Sequence, residues 1–261
     1  MATTRPAAGR GTFTPRPGAA PLLRQVTTQA SMEARLLLRN GEQLLLALVI
    51  PLIVLVGAVT AADRLSFTFD RPVIDVLTPG VLALAVMSTS FTSLAIATGF
   101  ERRYGVLKRL GTAPLRRPTL LAGKIAAMLL VEVLQVAVIG AAGLLLGWNP
   151  DISVVALVLA ALLGTAAFAS LGMLLAGTLR AEATLAAANL VYLLLLAGGA
   201  VVLPTTSYGA LGEVVHWLPS GALGEALRAA CSSTIAWREL AVLFVWAVAG
   251  SAATARWFRW E

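Results

Sequence analysis

One cysteine, Cys231, and one histidine, His216, are all that the 261 residues contain. A lone cysteine excludes an intramolecular disulfide framework and any multi-cysteine metal site. A lone histidine excludes the zinc-hydrolase spacings, which need two; we read Cys231 as a small apolar residue and His216 as an interfacial one. Charge is scarce too: 13% of residues are charged, where a soluble domain averages ~25%. Lysine occurs twice against 18 arginines. In their place stand apolar residues, 58% of the chain, and a mean hydropathy of +0.84. A water-soluble fold of this size cannot cover so much apolar side chain with polar surface. The same excess excludes a disordered chain, apart from a short tail. The composition is that of a membrane protein.

Residues 1–20 hold Pro6, Pro15 and Pro17 with three Gly and three Arg, and read as a flexible basic tail with no secretory signal behind it. Over 21–41, Leu22, Val26, Ala30, Ala34 and Leu37 recur at helical spacing, with Arg24, Thr28, Met32, Arg35 and Arg39 on another side. This predicts an amphipathic helix, too charged to span, which either lies at a membrane surface or packs on protein as an ordinary solvated helix. Residues 42–261 form the membrane domain. Six apolar stretches, 43–61, 74–99, 125–147, 152–176, 184–203 and 239–257, approach or exceed the ~20 residues that cross ~30 Å of hydrocarbon. Backbone groups in lipid must be satisfied internally, and the alternation of a lipid-facing strand is absent, so these are helices. The fold class is all-α integral membrane with six spans.

The basic residues are segregated. The first 42 residues, the 100–124 loop, the 177–183 turn and the C-terminus carry 16 Lys+Arg and five Asp+Glu; the 62–75, 148–151 and 204–239 segments carry four Arg and seven Asp+Glu. The positive-inside tendency places both termini in the cytoplasm. Trp148, Trp217, Trp237, Trp257 and Trp260 fall near span ends, as an aromatic belt requires. The net charge of +7 is therefore topological, and no basic face is left to bind nucleic acid.

The segment from Gly99 to Lys124, GFERRYGVLKRLGTAPLRRPTLLAGK, has seven Lys+Arg and one Glu. Glu101 to Leu110 can form one helix with Val106, Leu107 and Leu110 on an apolar side, stopped by Gly111 and followed by Pro114 and Pro118. Such a helix either takes force from a soluble partner or simply lies beside anionic lipid. The run ERRYGVLKRLGTAPLRRPTLLAGK resembles the loop of ABC-2 type transporter permeases. EARLLLRNGEQLLLALVIPLIVLVG, with Arg39 before the first span and Pro51 inside it, is similar to that family's first segment. VVHWLPSGALGEALRAA is similar to its late external segment. Arg103 and Val106 stand where the family often has an acidic residue and Thr. The similarity leans toward the drug-resistance, antibiotic-export branch.

The resemblance implies an ATP-driven exporter whose ATPase is a separate chain. The sequence agrees: its one Gly-Lys pair, Gly123–Lys124, is followed by Ile125 and lacks the upstream glycine of a phosphate-binding loop. ATP and Mg are then expected on the partner, with no cofactor in this chain. By the same resemblance, Glu101, Arg102, Arg103, Val106, Leu107, Lys108, Arg109 and Leu110 form the element that couples to the ATPase, residues 21–41 form the connecting helix, and a re-entrant external helix over 220–230 precedes the last span. A second permease copy or a sibling completes the route, in contact with membrane lipid.

Polar residues inside the spans are the candidate pathway. Glu132 and Gln135 share a face of the third span with Met128 and Ile139; a charge at mid-bilayer costs roughly 2.5–3.5 kcal/mol and is placed inward. Ser88, Thr89, Ser90, Thr92 and Ser93 crowd the second span, too densely for all to line a route, so several back-bond or pack. Asn189 and Tyr192 share a face of the fifth span. Ala161, Thr165, Ala169, Gly172 and Ala176 read as a close-packing seam. The function expected is export of an amphipathic or hydrophobic molecule across the plasma membrane. The alternative is an ion-gradient-driven transporter or channel with Glu132 as its proton site; an embedded lipid enzyme would need an Asp, His or Ser constellation that is not there.

Overall fold

The computed structural model describes residues 20–39, 41–65, 71–110 and 117–259. The basic tail expected over 1–20 lies outside them except for Ala20, as do Gly111 and Pro114. The described chain is helical throughout: α1 (Leu22–Arg39), α2 (Gly41–Leu65), α3 (Val73–Met87), a π-helical turn (Ser88–Ser93), α4 (Leu94–Arg103), α5 (Val106–Leu110), α6 (Arg117–Leu145), α7 (Val154–Thr178), α8 (Ala181–Gly198), a 3₁₀ turn (Thr205–Leu211), α9 (Gly212–His216), α10 (Pro219–Ala230) and α11 (Trp237–Trp257). Among the described residues, five helical runs are long and apolar enough to cross a membrane: Val73–Arg103, Thr119–Leu145, Val154–Thr178, Ala181–Gly198 and Trp237–Trp257. The first predicted span is a helix of 25 residues, about 38 Å at 1.5 Å per residue, with a described apolar stretch over Ala47–Ala62.

The amphipathic reading of α1 holds on both faces. Ala34 is buried and Val26, Ala30 and Leu37 half-buried, while Arg24, Thr28, Met32, Arg35 and Arg39 are exposed; Leu22, at the helix start, is exposed as well. The buried face lies along α6.

At the centre is α3, in which every residue from Val76 to Met87 is buried. Around it α7 packs along α11, α10 and α4, and only lightly on its chain neighbours α6 and α8, so the short links on either side of α7 do not make its principal pairings. The small-residue seam of α7 does: Thr165, Ala169, Gly172 and Ala176 are buried, although Ala161 is only half-buried. The helix α10 fills a wedge between α3, α7 and α11.

Two expectations are corrected. The fifth span, predicted over 184–203, is Ala181–Gly198. After it the chain turns at Gly199 and Ala200, the latter at φ 51°, and residues 200–202 run into the protein instead of continuing the helix, with Leu203 back at the surface. Apolar composition marks burial, which a buried turn satisfies as well as a helix. The helix expected over Glu101–Leu110 is broken: Glu101–Arg103 end the long second span, and Tyr104 and Gly105 form a turn before α5. Gly105 sits at φ +68°, where a side chain is strained.

The two sets of loops separated by charge converge at opposite ends of the bundle. At the basic end, Arg103 pairs with Glu182, Arg102 donates to the Leu179 carbonyl, and the Arg259 amide bonds the Gly177 carbonyl at 3.1 Å. At the other end, Arg71 bonds Ser232, and the Ser153 and Ser233 amides bond the carbonyls of Ala230 and Asp151 at 2.8 and 2.6 Å.

Candidate functional site

Below the basic end, α1, α4 and α6 meet at one lysine. Lys124 is buried, and its Nζ lies 2.6 Å from Glu101 Oε1 and 3.1 Å from Glu33 Oε1. Gln29 Nε2 donates to the same Glu33 oxygen at 3.0 Å. The crossing is close because residue 123 is glycine: a Cβ there would stand 2.5 Å from Gln29 Cγ. The Gly123–Lys124 pair, which failed as a phosphate loop, is thus a helix crossing. Glycine admits α1, and lysine ties α1 and α4 to α6. Sequence reading missed Gln29, Glu33 and Lys124; the one signal was Glu33, which falls next to Ala34 on the apolar side of α1, while Lys124 reads from the sequence as the end of a loop.

Above this triad is a cavity of about 330 Å³ between α1, α2, the π-helical turn, α4 and α6. Glu33, Glu101 and Lys124 stand at one side; Leu36, Leu94 and Met128 line the walls, and Thr89 and Ser93 are part of the lining. A second cavity of about 400 Å³ lies across Lys124 and Met128, toward α7 and α11.

The candidate pathway residues do not form one surface. The π-helical turn, a local widening often found at functional positions, splits the hydroxyls. Thr89 Oγ1 donates to Gln135 Oε1 at 3.1 Å, and Gln135 Nε2 donates to the Ala47 carbonyl at 3.0 Å, joining the turn to α6 and α2. Ser88 stands beside Tyr192 of α8. Ser90 back-bonds to the Val86 carbonyl at 2.5 Å. The Thr92 hydroxyl is buried without a partner among the described residues. Glu132 turns to α7, where Thr165 Oγ1 donates to Oε2 at 2.7 Å; Oε1 is buried without a partner among the described residues. Glu132 and Gln135 therefore serve different neighbours. Asn189 is exposed on α8, away from these contacts.

The coupling candidates divide likewise. Glu101 faces inward to Lys124, and Arg102 and Arg103 are engaged within the chain by Leu179 and Glu182. Val106, Lys108 and Arg109 of α5 are exposed, and the side chains of Leu107 and Leu110 lie outside the described residues.

At the far end, Arg228 is buried and donates to the carbonyls of Ala200, Val201, Val202 and Leu203 at 3.2–3.4 Å. It also bonds Glu225, which accepts from the Thr205 amide at 2.8 Å and its hydroxyl at 3.1 Å. Burial alone would raise the Glu225 carboxyl, but Arg228 and the Thr205 donors outweigh it and hold the group below the usual carboxylate range. This cluster bounds a cavity of about 830 Å³ that Arg71 also lines. Nearby, His216 Nε2 lies 3.0 Å from Glu239 Oε1 but is not aligned for a hydrogen bond.

No curated protein and no solved structure matches the chain. One family profile does, that of the ABC-2 type transporter, over residues 24–231. The match takes in α1, the triad, the π-helical turn and the Arg228 cluster, about four-fifths of the sequence. The chain belongs to the ABC-2 type transporter family and is a membrane-spanning permease component of an ABC transporter.

Proposed function

We propose that this chain is the permease of an ATP-driven exporter that moves an amphipathic or hydrophobic molecule, a drug, an antibiotic or a lipid-like compound, outward across the plasma membrane. ATP and Mg bind on a separate ATPase chain. Both termini and α5 face the cytoplasm, α2 supplies the sixth span, and two permease subunits, identical or siblings, enclose the route. The observation that carries this reading is mechanical continuity. One helical run passes from Val73 through the buried centre and the π-helical turn to Arg103, beside α5, and Lys124 ties its end to α1 and α6. A push on α5 is thereby delivered to three helices together. Closure of two ATPase chains draws the loops inward and biases a two-state bundle toward release outside.

The basic end agrees with a cytoplasmic face, and the engagement of Arg102 and Arg103 within the chain narrows the docking surface to α5. The experiment is ATP-dependent uptake into inverted vesicles that hold the permease and its co-purified ATPase. Leu107→Glu or Leu110→Glu should leave membrane insertion and ATP hydrolysis in place and reduce uptake at least about tenfold, equivalent to ~1.4 kcal/mol of lost coupling. Normal uptake with either change, or a complex isolated from native membranes without an ATPase, overturns the reading.

A second reading, gradient-driven transport, is favoured by one observation, the unpartnered Oε1 of Glu132 in mid-span. It requires uptake that survives vanadate and is lost in Glu132→Gln. An ATP-driven permease keeps uptake in that variant, because an amide oxygen still accepts from Thr165.

A further inference from the structure

The cavity beside Lys124 is electrically unbalanced. Glu33 and Glu101 bring two carboxylates and Lys124 one ammonium, and no other charged residue lines the space among the described residues. With both carboxyls ionised, one negative charge is left over at the edge of a largely aliphatic chamber. Lys124 is spent on one oxygen of each carboxylate, the Gln29 amide serves Glu33, and Glu101 Oε2 is buried with no donor among the described residues. A buried acceptor without a partner carries a desolvation penalty that an arriving N–H removes, and a donor that is itself cationic makes the stronger bond. The wall formed by Leu36, Leu44, Leu94, Met128 and Val131 suits an apolar body, and about 330 Å³ is of the size of small-molecule sites.

We propose that this cavity binds an amphiphilic amine, its apolar body among the leucines and Met128 and its protonated nitrogen against Glu101 and Glu33. A fourth charge completes two ion pairs, so the cluster becomes neutral when loaded. The inference rests on the export reading for its purpose, which is to load cargo on the inner side, but the binding itself needs no ATPase.

The test uses the full chain in lipid nanodiscs and dansylcadaverine, a fluorescent apolar body on a primary ammonium, against its N-acetyl derivative, which has the same body and no charge. Saturable blue-shifted emission, absent from empty nanodiscs, is expected for the amine, with the acetylated compound bound at least about tenfold more weakly. Glu101→Gln should erase that preference. Ala97→Phe, which fills the cavity from its wall, should remove binding of both; Glu33→Gln substitutes for Glu101→Gln if gel filtration shows the latter misfolded. Equal affinity of the two compounds for the unaltered chain, or unchanged binding in Ala97→Phe, overturns the proposal. So does a phospholipid that occupies the site and is displaced by neither compound in native mass spectrometry. Charge-selective binding by a complex that shows no ATP-driven transport defeats the export reading and leaves the site standing. ATP-driven export indifferent to the charge defeats the site and leaves export standing.

Discussion

Arg228 shows how a single charged side chain is tolerated where water is excluded. Its donors meet four carbonyls of the turn after α8 together with Glu225, so the guanidinium caps backbone groups that the helix no longer satisfies. Arg228→Ala takes the donor from those carbonyls and leaves the Glu225 carboxylate with Thr205 but no cation, and should cost about 3–5 kcal/mol, as other broken buried pairs do. Thermal unfolding in detergent, followed by gel filtration, measures it. The Glu225 carboxyl is held below the usual carboxylate range in the folded state. Its contribution is therefore complete above the unfolded value near 4.5 and is lost as pH falls through the lower folded value. Melting temperatures taken from neutral to acid should show a steeper acid limb in the unaltered chain than in Glu225→Gln; identical slopes would remove Glu225 from the account.

Among the elements, α1 and α5 depend on glycines for opposite reasons. At residue 123 the need is space, since any side chain meets Gln29 of α1. Gly123→Val should push α1 off α6 at a cost of about 1–3 kcal/mol, and limited proteolysis should then cut within 22–39 while the spans survive. At residue 105 the need is backbone conformation, since the glycine sits at φ +68° and nothing among the described residues stands within 4 Å of a Cβ built there. Gly105→Ala should cost about 1 kcal/mol and re-aim α5. On the export reading, ATP hydrolysis by the complex should continue while uptake drops; unaffected uptake would show that the turn does not set the direction of α5.

For the whole molecule, large apolar side chains remain uncovered on α2 (Ile50, Ile53), α8 (Leu190, Leu193, Leu194) and α11 (Phe244, Val245). Such faces are expected of a bundle that meets lipid or another subunit, because lipid solvates them without cost. On the export reading, native mass spectrometry of the intact complex should give two permease and two ATPase chains, and a single permease would require a different route for cargo. The charge count bears on the same scale. It sorted the loops into two sets, and contacts such as Arg103 with Glu182 and Asp151 with Ser233 show each set assembled at its own end.

Membrane character, the helical class, the approximate course of the long helices and the two loop sets were determined by the sequence alone, but the end of the fifth span was not. Each follows from composition summed over twenty or more residues, and sums of that length are insensitive to any one neighbour. The family was readable too, in three segments whose order matched. Only the tertiary structure decided what the polar residues do. Glu132 and Gln135, three apart on one helix, answer to different partners because the wall around α6 changes from α7 to α2 and the π-helical turn. Lys124 acquires two carboxylates from helices far away in sequence. The apolar run after Gly198 bends inward because Arg228, about 30 residues later, supplies the donors its carbonyls need. A pairwise contact between distant segments leaves no periodicity in either of them, and so is absent from the sequence until the chain is folded.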